Sequence, residues 1–278
     1  MSWFTRFFSK KETPVKFSKF AQEWRDILNE RVSFYRSLVP EEKVRFENAV
    51  LRFLNTTKIT GIKTTVEDED CLFIGTSAII PIFAFHDWEY HNLDEVLLYP
   101  AHFDYNHNIA SKDTAILGMV GYGYMEGKMV ISKKALRFGF NNDSDKKNTA
   151  IHEFVHLIDK MDGAVDGIMV YLKEKAYVLP WLNLIDEKIQ EIQLSQNDIG
   201  KYGATNRAEF LAVASEYFFE RPRLFKKNHP ELYKYMELMF KQKLADRRLV
   251  EKAKPTRHFD PCPCGSGKKF RDCCMREN

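Results

Sequence analysis

The chain has 278 residues with 44% hydrophobic, 29% charged and 14% aromatic side chains, 22 of them phenylalanine, and a net charge of +3. That length suits one large domain plus a small appendage, and the aromatic load can fill a core without disulfides. The charge is too mild to argue for nucleic acid by itself, although residues 241–278 hold eleven Lys and Arg against five Asp and Glu, so a basic tail follows a slightly acidic body.

The start, "MSWFTRFFSKKETP", has no apolar run followed by a small-residue cleavage site and does not read as a secretory signal. Residues 1–15 are expected to be a flexible terminus, on which Trp3, Phe4, Phe7 and Phe8 can fray or pack. "KFAQEWRDIL" (19–28) and "PEEKVRFENAVLRFLNTT" (40–57) predict helices. In the second, Pro40 marks the start, and Val44, Phe46, Val50, Leu51 and Leu54 form the apolar face. "CLFIGTSAIIPIFAF" (71–85) is 15 residues long and contains Pro81, short of the roughly 20 needed to span a bilayer. It reads as a buried core segment. No transmembrane segment and no export address is visible, so the expected location is cytoplasmic.

The centre changes character. "DEVLLYPAHF" (94–103) and "GKMVIS" (127–132) predict short strands around the glycine-rich, aromatic "GMVGYGYMEG" (118–127). Helices resume at about 147–161, 180–194, 205–220 and 229–245. Short strands among many helices imply an α+β, mostly helical domain over residues 16–250. Residues 251–260 read as a linker, and 261–278 as a separate small module.

The chemistry concentrates in "NTAIHEFVHLIDKMDG" (148–163). His152 and His156 stand four apart, one turn up the same helical face, so both rings can aim at one point. Zinc takes imidazole nitrogen at about 2.0–2.1 Å, which suits this spacing. Glu153 lies beside the pair, placed to take a proton from an activated water. An ordinary amphipathic helix is the competing reading. Against it, Ile151, Phe154, Val155 and Ile158 make the helix apolar enough to be buried, where two histidines and a glutamate need a partner. Asp159 shares the face of His152, but seven residues of straight helix carry it about 10 Å along the axis. A supporting or capping role suits it better than ligation.

A third ligand is sought in "KYGATNRAEFLAVASEYFFERP" (201–222). Asn206 can cap a helix that carries Glu209 and Glu216 seven apart beside Ala212, Val213 and Phe219. Carboxylates on an apolar face need a partner, and a divalent metal is one. Spacing alone does not choose between Glu209 and Glu216.

The blocks "HEFVHLIDKMDGAVDGI" (152–168) and "YGATNRAEFLAVASEYFFERPRLF" (202–225), with "DEVLLYPAHF" more loosely, resemble the Mlc titration factor A (MtfA) zinc peptidases over most of residues 15–245. The resemblance implies a zincin-like fold with the H-E-x-x-H helix at the active site. It makes His152, His156 and Glu209 the ligands of a catalytic zinc, a gluzincin-like set, and Glu153 the general base. Glu216 then supports a ligand histidine, and Tyr202 stabilises the oxyanion. Expected partners are a peptide or protein substrate and a transcriptional regulator, since the founding member binds the Mlc repressor; a non-catalytic, sequestering protein is the alternative. Arg207 stands where the family commonly has proline.

Four of the five cysteines fall in "PCPCGSGKKFRDCC" (261–274): Cys262, Cys264, Cys273 and Cys274. Four thiolates can close on a structural zinc in a stretch too short for a core of its own, giving an expected total of one catalytic and one structural Zn2+. Disulfides compete, but a cytoplasmic chain keeps thiols reduced. The segment resembles the SEC-C motif that ends the SecA translocation ATPase. Lys268, Lys269 and Arg271 give it a basic rim suited to an acidic protein, the ribosome or another acidic surface. Cys71, alone in an apolar run, reads as a core residue.

Overall fold

A computed structural model describes residues 17–86, 88–101, 117–141, 145–169, 172, 175–248, 268, 269 and 271. The expected N-terminal tail, the linker and the four clustered cysteines lie outside these residues. The chain divides into two compact units, Met1–Arg248 and Leu249–Asn278. Among its described residues the first is mostly helical with one small mixed sheet, an α+β arrangement.

The described residues begin with three helices, α1 (Gln22–Arg31), α2 (Ser33–Ser37) and α3 (Pro40–Thr56). Pro40 starts α3, where its missing N–H is no loss, and the Glu42 carboxylate accepts from the Val39 N–H at 3.2 Å. Phe46, Val50, Phe53 and Leu54 are its buried face. Val44 is 59% exposed, a correction to its place on that face: it sits nearly half a turn around the helix from Phe46 and about a third of a turn from Val50. After strand β1 (Lys58–Gly61) comes α4 (Asp68–Ile82), the apolar run read as a core segment. Residues 72–82 of α4 are all buried, as a helix apolar on every side must be. Pro81 interrupts its last turn, and Gln242 Nε2 donates to the Ile80 and Pro81 carbonyls at 2.8 and 3.3 Å. Cys71, on the same helix, is half-buried.

Strands β2 (Glu95–Tyr99), β3 (Gly118–Val120) and β4 (Lys128–Ser132) complete a sheet of order β1-β2-β4-β3. β1, β2 and β4 run parallel; β3 runs antiparallel to β4 at the edge, with Gly118 opposite Ile131 and Val120 opposite Met129. β2 stops at Tyr99, short of the expected 103, because Pro100 has no N–H for the ladder. Helix α5 (Lys133–Asn141) follows β4 directly.

The remaining helices are α6 (Thr149–Asp159), α7 (Lys175–Gln193), α8 (Arg207–Glu220), α9 (Pro222–Asn228) and α10 (Pro230–Phe240). α7 begins five residues before Pro180, which the sequence suggests as its start. The proline forfeits only one bond, to Ala176, whose exposed position leaves that carbonyl to solvent. α9 escapes the sequence reading because Pro222 and Pro230 each restart a helix within two residues of the last. α6 packs between α4 and α8, with β3 alongside. No helix among the described residues is long and apolar enough to cross a membrane.

Candidate metal centre

α6 is set by its cap: the Asn148 side chain accepts from the Ile151 N–H at 3.1 Å. Residues 150–159 of this helix are all buried, including His152, Glu153 and His156. Phe154 fixes the rotation of the helix by packing against Phe53 and Tyr90, ring centroids 5.6 and 5.1 Å away. That leaves the two imidazoles facing α8. There Asn206 caps the helix by accepting from the Glu209 N–H at 2.9 Å, so Glu209 sits in its first turn and Glu216 two turns on. Arg207, the first residue of α8, forms a two-pronged pair with Asp186 at 2.8 and 2.6 Å, which anchors the helix start to α7.

Three ligand-type atoms converge between the helices. His152 Nε2 and His156 Nε2 are 3.1 Å apart, and Glu209 Oε2 lies 3.0 Å from the first and 3.3 Å from the second. Ligands about 2.0–2.1 Å from a tetrahedral zinc stand roughly 3.3–3.4 Å from one another, so this triangle has nearly the size of one face of such a site. Two imidazole nitrogens and a carboxylate oxygen are also a donor set that zinc accepts. Among the described residues these three form the group able to hold a metal ion.

Glu216 stands behind the triangle. Its Oε1 is 2.8 Å from His152 Nδ1, and its Oε2 accepts from the Asn148 N–H at 2.5 Å. One carboxylate therefore holds both a histidine ring and the N-terminus of its helix. Burial disfavours a charged His152, but hydrogen bonds to Glu209 and Glu216 and the nearby negative charge outweigh it and push its pKa up to about 10. Burial raises the pKa of Glu153, as do Glu209 and Glu216, against the opposing pull of the two histidines. Glu209 is depressed to about 2: burial opposes its charge, and the histidine hydrogen bonds prevail.

Glu153 abuts the edge strand. A Cβ built on Gly118 falls 2.6 Å from the Glu153 Cγ and Oε1, so only glycine leaves this carboxylate its place. Tyr202, in a 3-10 turn (Lys201–Ala204) before α8, is 60% exposed, with its ring centroid 5.9 Å from that of His152. Asp159 points elsewhere: its Oδ2 accepts from the Gly167 N–H at 3.0 Å and pins the turn that precedes α7. Burial pushes its pKa up to about 6. The residue-level reading overlooks Gly118 and Asn148. Asn148 carried a signal, a capping residue ahead of an apolar helix; Gly118 carried only membership of a glycine-rich stretch.

Residues 6–241 match the family model described as glucose-regulated metallo-peptidase M90. The chain belongs to this family. Residues 260–276 match the SEC-C motif. Family relatives include an uncharacterized protein of Synechocystis sp., 29% identical over 77% of this chain and 81% of its own length. Proteins named Mlc titration factor A match as well. That of Escherichia fergusonii is 29% identical over 76% of this chain and 82% of its own, and that of Salmonella schwarzengrund 26% over 83% and 89%.

Proposed function

We propose that the chain is a zinc-dependent peptidase whose catalytic metal is held by His152, His156 and Glu209. The observation that carries this is the convergence of two imidazole nitrogens and one carboxylate oxygen within about 3 Å of each other, with a buried glutamate beside them. Zinc held there supplies a Lewis acid for the scissile carbonyl and acidifies a water toward neutral pH. Glu153 takes the proton of the attacking water and passes it to the leaving amine. Its burial supports this role, since a carboxylate with a raised pKa is a better base near neutrality. Tyr202, exposed beside the His152 ring, donates its phenol to the tetrahedral oxyanion, an effect of about 2–4 kcal/mol for such donors. Glu216 fixes the tautomer of His152 and presents Nε2 forward.

The substrate is an extended peptide laid against β3. Edge position supports this, because the outer side of an edge strand offers unpaired backbone groups, and this one begins at Gly118 against Glu153. The four cysteines of the tail, Cys262, Cys264, Cys273 and Cys274, hold a second, structural zinc, and the basic tail docks on an acidic protein or RNA surface. The setting is the cytoplasm.

A second reading is regulation by binding. Two of the relatives above carry the name Mlc titration factor A, which favours a role in titrating a transcriptional regulator. Glu153→Gln separates the readings. It should keep zinc and lose peptide cleavage; a zinc-replete wild type that cleaves no peptide leaves only the binding role.

A further inference from the structure

Behind α6, away from the histidines, lies a second concavity. It is a cavity of about 300 Å3 between α3, the end of α4 and the segment that leads to β2. None of His152, Glu153, His156 or Glu209 lines it. Phe53 and Tyr90, which do, pack on Phe154 of α6. The volume is in the range of small-molecule sites, and an apolar hole of about 150 Å3 already admits benzene.

Its charge is unusual. Arg45 and Arg52 stand two turns apart on α3 and both line the cavity. Among the described residues neither forms a salt bridge, although the Arg45 charge reaches Glu42 one turn back and helps to lower its pKa. The Arg45 guanidinium lies 4.1 Å from the centroid of Phe83, and its Nη1 meets the His86 ring nitrogens at 3.2 and 3.3 Å. Its Nε is buried with no acceptor. An arginine has five N–H donors, so a single ring against one of them leaves most of its capacity unused, and a buried unmet donor costs about 1–3 kcal/mol. Two acidic residues also line the space without answering this charge. Glu89 is exposed, and the Asp94 carboxylate is packed against Gly127.

We propose that this cavity binds a small organic anion. Its apolar or aromatic body lies among Phe53, Phe83 and Trp88, and its carboxylate or phosphate is held by Arg45 and Arg52. The site is independent of the peptidase reading.

The test follows Trp88 fluorescence in the full-length, zinc-loaded chain during titration with phenylbutyrate, phenylethyl phosphate and the neutral phenylbutyramide. At least one anion should give a saturable change, absent in Trp88→Phe, with the amide and the Arg52→Gln variant each binding about tenfold or more weakly. Arg52 is exposed, so its substitution spares the fold. Ala49→Phe, which fills the space, should abolish binding. The inference is overturned if neither anion saturates below about 10 mM, if the amide binds as well as the anions, or if Arg52→Gln changes nothing. It is also overturned if His152→Ala removes the binding, because the anion would then be held at the histidine cluster.

Discussion

Glu216 and His152 are joined across two helices, Oε1 to Nδ1 at 2.8 Å, while the other oxygen of the same carboxylate holds the backbone of Asn148. The ring nitrogen that faces Glu209 is thereby oriented from behind, and the start of α6 is tied to α8. Glu216→Ala should weaken zinc binding about 10–100-fold, the usual effect of removing the partner of a ligand histidine. Glu216→Gln should lie between the two, because its amide oxygen can still accept from one donor. Competition against a chromophoric chelator measures both.

The proton that His152 holds must leave before its nitrogen can bind a metal. Its pKa, pushed up to about 10, lies above the ordinary histidine value near 6.5. In the metal-free chain this pairing contributes stability that is fully present below about pH 6.5 and is lost as pH rises through about 10. Zinc affinity at the histidine site should run the other way and rise with pH over the same window, with about one proton released per ion bound there near pH 7.5 once the tail site has been filled. Calorimetric titration in two buffers of different ionisation enthalpy counts the protons.

How much of this was legible in the sequence divides along physical lines. The i, i+4 histidines lie within one helix, so their common direction follows from helical geometry alone. The buried character of residues 72–83, most of the stretch read as a core segment, was equally plain, because so apolar a run has nowhere to go but the core. The separate placements of Glu209 and Glu216 were not legible from spacing. They depend on how α8 crosses α6, which puts one carboxylate in front of His152 and the other behind it. The contact of Gly118 with Glu153 is hidden for the same reason: it joins residues 35 apart through the register of an edge strand.

Gly118→Ala tests that contact. Its methyl group would overlap Glu153, which must turn aside or push β3 away. Displacement of a reacting group by about 1 Å can lower turnover about 100-fold, and zinc content should stay at the wild-type level. Cleavage rate and metal content measured on the same preparation distinguish this from unfolding.

Glu220, one turn beyond Glu216, supplies a pH test away from the metal. Burial, with the charges of Asp145 and Glu216, pushes its pKa up to about 9, although its Oε2 accepts from the Lys147 N–H at 3.0 Å. The folded chain therefore binds a proton that the unfolded chain releases near pH 4.5, so the stability contribution falls as pH rises from about 4.5 to 9. Glu220→Gln keeps the acceptor and removes the titration. It should raise stability by about 1–3 kcal/mol at neutral pH and flatten the decline, as read by denaturant unfolding across that range.

The grip of His152, His156 and Glu209 on one cation is tested most directly by zinc stoichiometry on purified chains. The wild type should carry two zinc per chain. His156→Ala and Glu209→Gln should each carry one, the thiolate-bound ion of the tail being retained. Wild-type content in both variants would show that the triangle between α6 and α8 holds no metal, and the peptidase proposal would fall with it.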